Sequence, residues 1–237
     1  MRKINEIGVI LGRKGTGKTT LTRSLLAHAG NRRNLLLDSL REYDVGCRPD
    51  SFVDLVEYYN RVRDYHAWTI CYTPISDQEV RAWWRLCRLA SHAIIWAEEV
   101  DRYCSAWNIN PDLKWLLNYG RHRALSLVGI ARRPAAVHRD LTSQADWLVS
   151  FNTTEPRDLA YLGQFMDAGP LPSLPKFCWT MAGESRMFPL NARSCGPSGA
   201  DTQDVVPSDE KDGTDAGHER PSDHGPGGGG GGADRPQ

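Results

Sequence analysis

The chain of 237 residues carries 29 lysines and arginines against 29 aspartates and glutamates, and 40% of it is apolar. A chain of this size buries roughly 70% of its unfolded surface without a metal or disulfide staple. No apolar run approaches the roughly 18 residues that a membrane-spanning helix needs. The neutral total hides an uneven distribution: residues 1–190 hold 25 bases against 20 acids, whereas the stretch from 191 onward holds four against nine. The modest basic excess of the first part permits a nucleic-acid partner without showing one.

The six cysteines, at 47, 71, 87, 104, 178 and 195, form no C-x-x-C pair. This spacing reads as free thiols in a reducing compartment with no metal site. The N-terminal Met1-Arg-Lys-Ile-Asn has no signal-peptide core, so a soluble, cytoplasmic protein is the expectation, in a host cell or a virion if it is viral.

In chain order, residues 4–11 read as a buried strand and 18–29 as a helix with Leu21, Leu25 and Leu26 on one face. Between them Gly12-Arg13-Lys14-Gly15-Thr16-Gly17-Lys18-Thr19 fits the phosphate-binding loop G-x-x-x-x-G-K-[S/T] at every fixed position, in the strand, loop, helix context that the motif requires. The glycines let successive N–H groups face one anion, and the helix adds its positive end. Lys18 is expected on the β- and γ-phosphates of ATP, and the Thr19 hydroxyl on Mg²⁺, an ion that leans on few protein ligands and on the phosphates. Thr20 closes this nucleotide-binding segment as a first-turn helix residue.

Leu35-Leu36-Leu37-Asp38 has the uniformly apolar character of a parallel strand covered on both faces. Asp38 closes it, either at the ligand-binding edge of the sheet or as a turn or cap residue. Residues 51–62 suit a helix, 67–72 a third strand, and 76–90 a helix capped by Ser76 with Glu79 in a capping box and Val80, Trp83, Trp84, Cys87 and Leu89 as apolar contacts. Ala93 to Ala97 is a fourth strand. Helices are predicted at 111–123, 134–141 and 156–165, strands at 125–131 and 147–151, and a terminal hairpin within 177–190 turning at Gly183-Glu184. Strands alternating with helices predict an α/β P-loop fold, a mainly parallel sheet covered by helices on both faces. This domain spans 1–190. Residues 191–237, poor in large apolar side chains and ending near Gly227 to Gly232, are expected to be a disordered acidic, Gly-rich tail.

The fourth strand ends in Glu98-Glu99. Hydrolysis of a nucleoside triphosphate needs one acid beside the Mg²⁺ shell and another to orient and deprotonate the attacking water. Glu98, acting through water, and Glu99 fill these places, and Asp101 is a third candidate in a turn beyond the strand.

The order of these features resembles the HerA/FtsK branch of P-loop ATPases, and most closely the small genome-packaging ATPases of tailless icosahedral viruses. The resemblance covers roughly residues 5–165. It rests on the loop at 12–19, Asp38 followed by Ser39-Leu-Arg-Glu-Tyr43, the strand Ile94 to Glu99, Tyr119-Gly-Arg-His-Arg123, the strand ending Gly129-Ile-Ala-Arg-Arg-Pro134, and Ala145-Asp146. It implies an arginine that enters the neighbouring subunit's site, where Arg121 matches best and Arg123 lies close behind. It also implies a glutamine sensor of the γ-phosphate, and here Arg132 stands at that position.

The activity so implied is that of an ATP-hydrolysing translocase of double-stranded DNA, a viral packaging motor subunit working in a homo-oligomeric ring, pentamer or hexamer, at a capsid vertex. Arg61-Val-Arg63 and His138-Arg139 are possible DNA grips. Two other readings stay open: a small P-loop kinase with Arg121 and Arg123 as lid arginines, and a phage morphogenesis ATPase that moves protein. A GTP switch is disfavoured, since no N-K-x-D motif is present.

Overall fold

The computed structural model describes residues 5–191 and 193–195. Eight strands form one sheet: β1 (Ile7–Leu11), β2 (Arg33–Leu37), β3 (Trp68–Tyr72), β4 (Ala93–Ala97), β7 (Ser126–Ala131), β8 (Trp147–Phe151), β9 (Cys178–Gly183) and β10 (Arg193–Cys195). A separate hairpin is made of β5 (Cys104–Ser105) and β6 (Asn108–Ile109). The helices are α1 (Lys18–His28), α2 (Phe52–Val62), α3 (Asp77–Leu89), α4 (Pro111–Tyr119), α5 (Arg139–Ser143) and α6 (Pro156–Leu162).

Spatial order in the sheet is β10-β9-β8-β1-β7-β4-β2-β3, parallel from β8 to β3 and antiparallel at β9 and β10. Both faces are covered, which is why the strands are apolar at consecutive positions rather than alternating. On one face Val9, Leu11, Leu35, Leu37 and Ile95 pack with residues of α2 to α6. On the other, Ile10, Leu36, Ile94 and Trp96 pack with Leu21, Leu25 and Leu26 of α1 and with Met187 and Phe188. The expected α/β architecture is therefore the observed one.

Local chemistry accounts for the helix starts. Ser51 accepts a hydrogen bond from the Asp54 N–H while Asp54 answers the Ser51 N–H, a reciprocal cap. At α3 the expected box is only half made: Ser76 accepts from the Glu79 N–H, but the Glu79 carboxylate reaches past it to the Ile75 N–H (2.9 Å) and the Tyr72 hydroxyl (2.7 Å). Leu89 is 65% exposed, and Leu86 takes the buried place instead.

The remaining differences lie where the elements are short. The helix expected at 111–123 is α-helical only to Tyr119 and continues as a 3₁₀ turn, Gly120–Arg123. The one expected at 134–141 divides into a 3₁₀ turn, Pro134–Ala136, and α5. The hairpin expected within 177–190 pairs differently: β9 runs antiparallel to β8, and its other partner is Arg193–Cys195, whereas 184–190 is irregular. That pairing sets Cys178 opposite Cys195 and joins them as a disulfide, where the sequence reads as free thiols throughout. The other four cysteines are free. Apart from Asn191 and β10, the predicted tail lies outside the described residues. Among the described residues no helix is long and apolar enough to cross a membrane.

Candidate functional site

The parallel strands point their C-terminal ends to one edge, and there the loops after β1, β2, β4 and β7 converge. Because β7 lies between β1 and β4, the loop leaving β7 stands between the glycine loop and the two glutamates. The resulting cleft is lined by Lys14, Gly15, Lys18 and Thr19, by Leu40 and Glu42, by Glu98 and Glu99, and by Arg132.

The glycine loop turns through backbone conformations that side chains resist, with Gly12 at φ 147° and Gly17 at φ 119°. A Cβ on Gly12 would lie 2.7 Å from Phe151, and one on Gly17 would lie 2.6 Å from the Phe177 ring. The chain thus needs glycine at both positions for close approach as well as for φ. Lys18, first residue of α1, folds its ammonium back over the loop and donates to the carbonyls of Gly12 (2.9 Å) and Arg13 (3.0 Å). Burial lowers its pKa, against which the nearby Glu98 acts to raise it. Arg13 is tied outward to Thr154 (3.0 Å), Thr16 donates to the Arg13 carbonyl (2.9 Å), and Thr20 lies in α1 outside the cleft lining.

Asp38 proves to be the turn residue of its two readings. Fully buried, it accepts from the backbone N–H groups of Glu42 (2.9 Å) and Tyr43 (3.1 Å) and pairs with Arg48 at 2.7 Å. The anchored loop delivers Glu42 to the Thr19 hydroxyl, which donates to it at 2.9 Å, and Tyr43 to Glu98, whose carboxylate accepts from the phenol. Glu42 and Tyr43 fall inside the Ser39 to Tyr43 run quoted for the family resemblance, but no motif assigns them a role. The only signal is an acid and an aromatic following a strand-ending aspartate.

Consecutive strand residues face opposite ways, yet Glu98 and Glu99 both line the cleft. Glu99 breaks the alternation by adopting the left-handed region at φ 49°. Burial raises the Glu98 pKa to about 7, with the Tyr43 hydrogen bond pulling the other way. Glu99 is held on both oxygens, by Arg132 on one and by Arg102 at 3.5 Å on the other. Asp101, whose pKa is raised by burial, has one carboxylate oxygen buried without a hydrogen-bond partner.

No family model and no curated protein matches the sequence. Among solved structures, the genome packaging NTPase B204 of Sulfolobus turreted icosahedral virus 2 in complex with AMPPCP superposes with a TM-score of 0.60 at 20% identity, covering 76% of this chain and 93% of that one. The fold is that of this packaging NTPase. VirB4 of Thermoanaerobacter pseudethanolicus is similar at a TM-score of 0.54 and 11% identity over 76% of this chain and 87% of its own. The architecture expected from the sequence is thus shared with a solved viral genome packaging NTPase.

The donor set suits Mg²⁺: Thr19, Glu42 and Glu98 offer hard oxygen atoms beside the glycine loop. Among the described residues no group of three acids, histidines or cysteines is placed to cage an ion. Arg121 and Arg123 lie elsewhere. The 3₁₀ turn that carries them precedes β7, and Arg123 is bound to the Leu89 carbonyl (3.2 Å) ahead of β4, at the sheet edge opposite the cleft. Arg61 and Arg63 end α2, also away from the cleft.

Proposed function

We propose that the chain is an ATP-hydrolysing motor subunit that translocates double-stranded DNA, working in a ring in which each site is completed by an arginine of the neighbour. The observation that carries this reading is the convergence of Lys18 and Thr19 with Glu98, Glu99 and Arg132 on one cleft, on a fold shared with a viral genome-packaging NTPase. The paired acids at the strand end favour activation of water over capture of a metabolite hydroxyl, which sets the kinase reading behind.

In this mechanism the loop N–H groups and Lys18 bind the β- and γ-phosphates. Thr19, with Glu42 and Glu98 through water, would hold Mg²⁺, which neutralises phosphate charge when bound. Glu99 orients a water for in-line attack on the γ-phosphorus and takes its proton as the bridging oxygen leaves with ADP. Arg132 engages the Glu99 carboxylate. Arg132 lines the same cleft as the glycine loop, so a γ-phosphate bound there would compete with Glu99 for that guanidinium. Arg132 thereby serves as a cationic sensor in the place where the family carries glutamine.

The test is the steady-state ATPase rate over a protein concentration series, with and without duplex DNA, at low and moderate salt. A specific activity that rises with concentration and with DNA, the DNA effect fading with salt, is the expected result. A flat rate indifferent to DNA would overturn the motor reading and put the kinase reading first.

A further inference from the structure

Beyond the nucleotide cleft, the tip of the β5–β6 hairpin presents Trp107, which is 90% exposed. The turn itself is closed by Ser105, whose hydroxyl accepts from the Asn108 N–H (3.2 Å) and is within 3.2 Å of its carbonyl. Such a turn needs no indole for its own stability. Trp107 lies where two adjoining clefts meet. Arg139 and Arg157 line one of them, Arg133 and Arg157 the other, and no carboxylate lines either.

The three arginines differ in what holds them. Arg133 is neutralised by Glu155 and Asp158, each at 3.4 Å. Arg139 has no acidic partner among the described residues. Its guanidinium lies over the rings of Tyr161 (5.9 Å) and Phe165 (5.6 Å) and donates to the Gln164 side chain at 2.7 Å. Arg157 is exposed, and its guanidinium makes no ion pair or hydrogen bond among the described residues. Two uncompensated guanidinium groups therefore flank a flat, solvated aromatic ring.

The hairpin is also joined to the nucleotide cleft from both sides. The segment after Glu99 runs through the 3₁₀ turn Val100–Arg102 directly into β5, and the segment after Arg132 runs through Pro134–Ala136 alongside it. These two are stitched by hydrogen bonds from Ala106 N–H to the Ala136 carbonyl (2.8 Å) and from His138 N–H to the Cys104 carbonyl (2.9 Å). Together these two bonds make Ser105 and Val137 an antiparallel bridge pair. The two residues paired across the cleft, Glu99 and Arg132, thus begin the two segments that meet beneath Trp107.

We infer that Trp107, Arg139 and Arg157 form a binding surface for the sugar–phosphate backbone of nucleic acid, on a hairpin joined through backbone hydrogen bonds to the segment that follows Arg132. Aromatic faces beside unneutralised cations bind polynucleotides with little regard to sequence. Guanidinium groups on phosphates release counterions, so the binding is salt-dependent. The inference rests on the motor reading for its choice of partner.

The test uses the full chain and a fluorescein-labelled duplex of about 30 base pairs, with a single strand of equal length as a second arm, titrated by anisotropy over a salt series. Arg139→Ala with Arg157→Ala is expected to weaken binding at least tenfold at low salt and to reduce the slope of log K against log salt by about 2. Trp107→Ala is expected to weaken binding with the slope kept. Melting curves and nucleotide binding of each variant, unchanged from wild type, show that the fold is intact. Wild-type affinity and slope in all variants would overturn the surface while leaving the motor reading standing, and failure of the wild-type chain to bind either nucleic acid would overturn both. Loss of self-association in Trp107→Ala at unchanged DNA affinity would assign the hairpin to contacts between copies and would also overturn the inference.

Discussion

Glu98 and Glu99 are neighbours in sequence with opposed electrostatic situations. Glu98 is buried, hydrogen-bonded by Tyr43, and raised to about 7 chiefly by burial, whereas Glu99 is held between two arginines. A carboxyl whose folded-state pKa stands above its ordinary 4.5 favours the fold in its protonated form. Its contribution is complete below that ordinary value and is lost as pH rises through about 7. Glu98→Gln, which keeps the shape without the charge, is therefore expected to raise the unfolding free energy of nucleotide-free protein at about pH 9, by up to about 3 kcal/mol, and to leave it unchanged near pH 4, as read from denaturant unfolding at the two pH values. An equal gain at both pH values would show that ionisation is not the cause. For Glu99→Gln the expected outcome is ATP binding retained and turnover lowered by about 10²–10⁴, measured by equilibrium binding beside steady-state hydrolysis; an active variant would remove Glu99 from the role of base. Lys18→Ala is expected to lose nucleotide binding itself. These residues were legible because each lies in a contiguous run whose chemistry is local: glycines before a lysine, acids after four apolar residues. Glu42 and Tyr43 were not, because what they do is decided by Asp38 and Arg48 folding the loop back, a contact that no local spacing encodes.

At the scale of elements, the long apolar strands and amphipathic helices were readable from periodicity, while two-residue strands such as β5 and β6 have no period to read. The order of strands was not readable either, and it is the order that sets Arg132 between the glycine loop and Glu98. Packing across that order constrains β1 strongly. Gly8 lies under the indole of Trp147 on the adjacent β8, and a Cβ built there would come within 2.0 Å of the ring. Trp147 is itself buried among Trp96, Val149 and Phe188, so the ring has little room to yield. Gly8→Ala is expected to destabilise the fold by about 1–3 kcal/mol, the usual cost of overpacking, measured by denaturant unfolding. Pairing it with Trp147→Leu, which vacates the space, is expected to cost less than the two changes summed. Strict additivity would mean that the two side chains do not compete for one volume.

For the whole molecule, the placement of Arg121 and Arg123 limits what they can do. They precede β7, whereas the cleft lies beyond its other end, about 17 Å away along a six-residue strand. Neither reaches the nucleotide bound by its own chain, so a catalytic role for either requires a second copy whose opposite edge faces the cleft. Such head-to-tail contacts close into rings when the rotation between copies allows it. Arg121, exposed on its 3₁₀ turn, is expected to be the group supplied, stabilising charge on the transferred phosphate to the extent of about 10³–10⁵ in rate. Rings of Arg121→Ala alone are then inactive although every site binds ATP, and rings of Glu99→Gln alone are inactive because no site has its base. Mixing the two variants restores function at those interfaces where a chain with intact Glu99 meets a neighbour with intact Arg121, about a quarter of them in a random equal mixture of a heterologous ring. Hydrolysis measured across mixing ratios is expected to peak near equal amounts and to vanish at both ends. Absence of rescue at every ratio, with co-assembly verified, would exclude Arg121 as a residue acting between subunits and would direct the same experiment to Arg123.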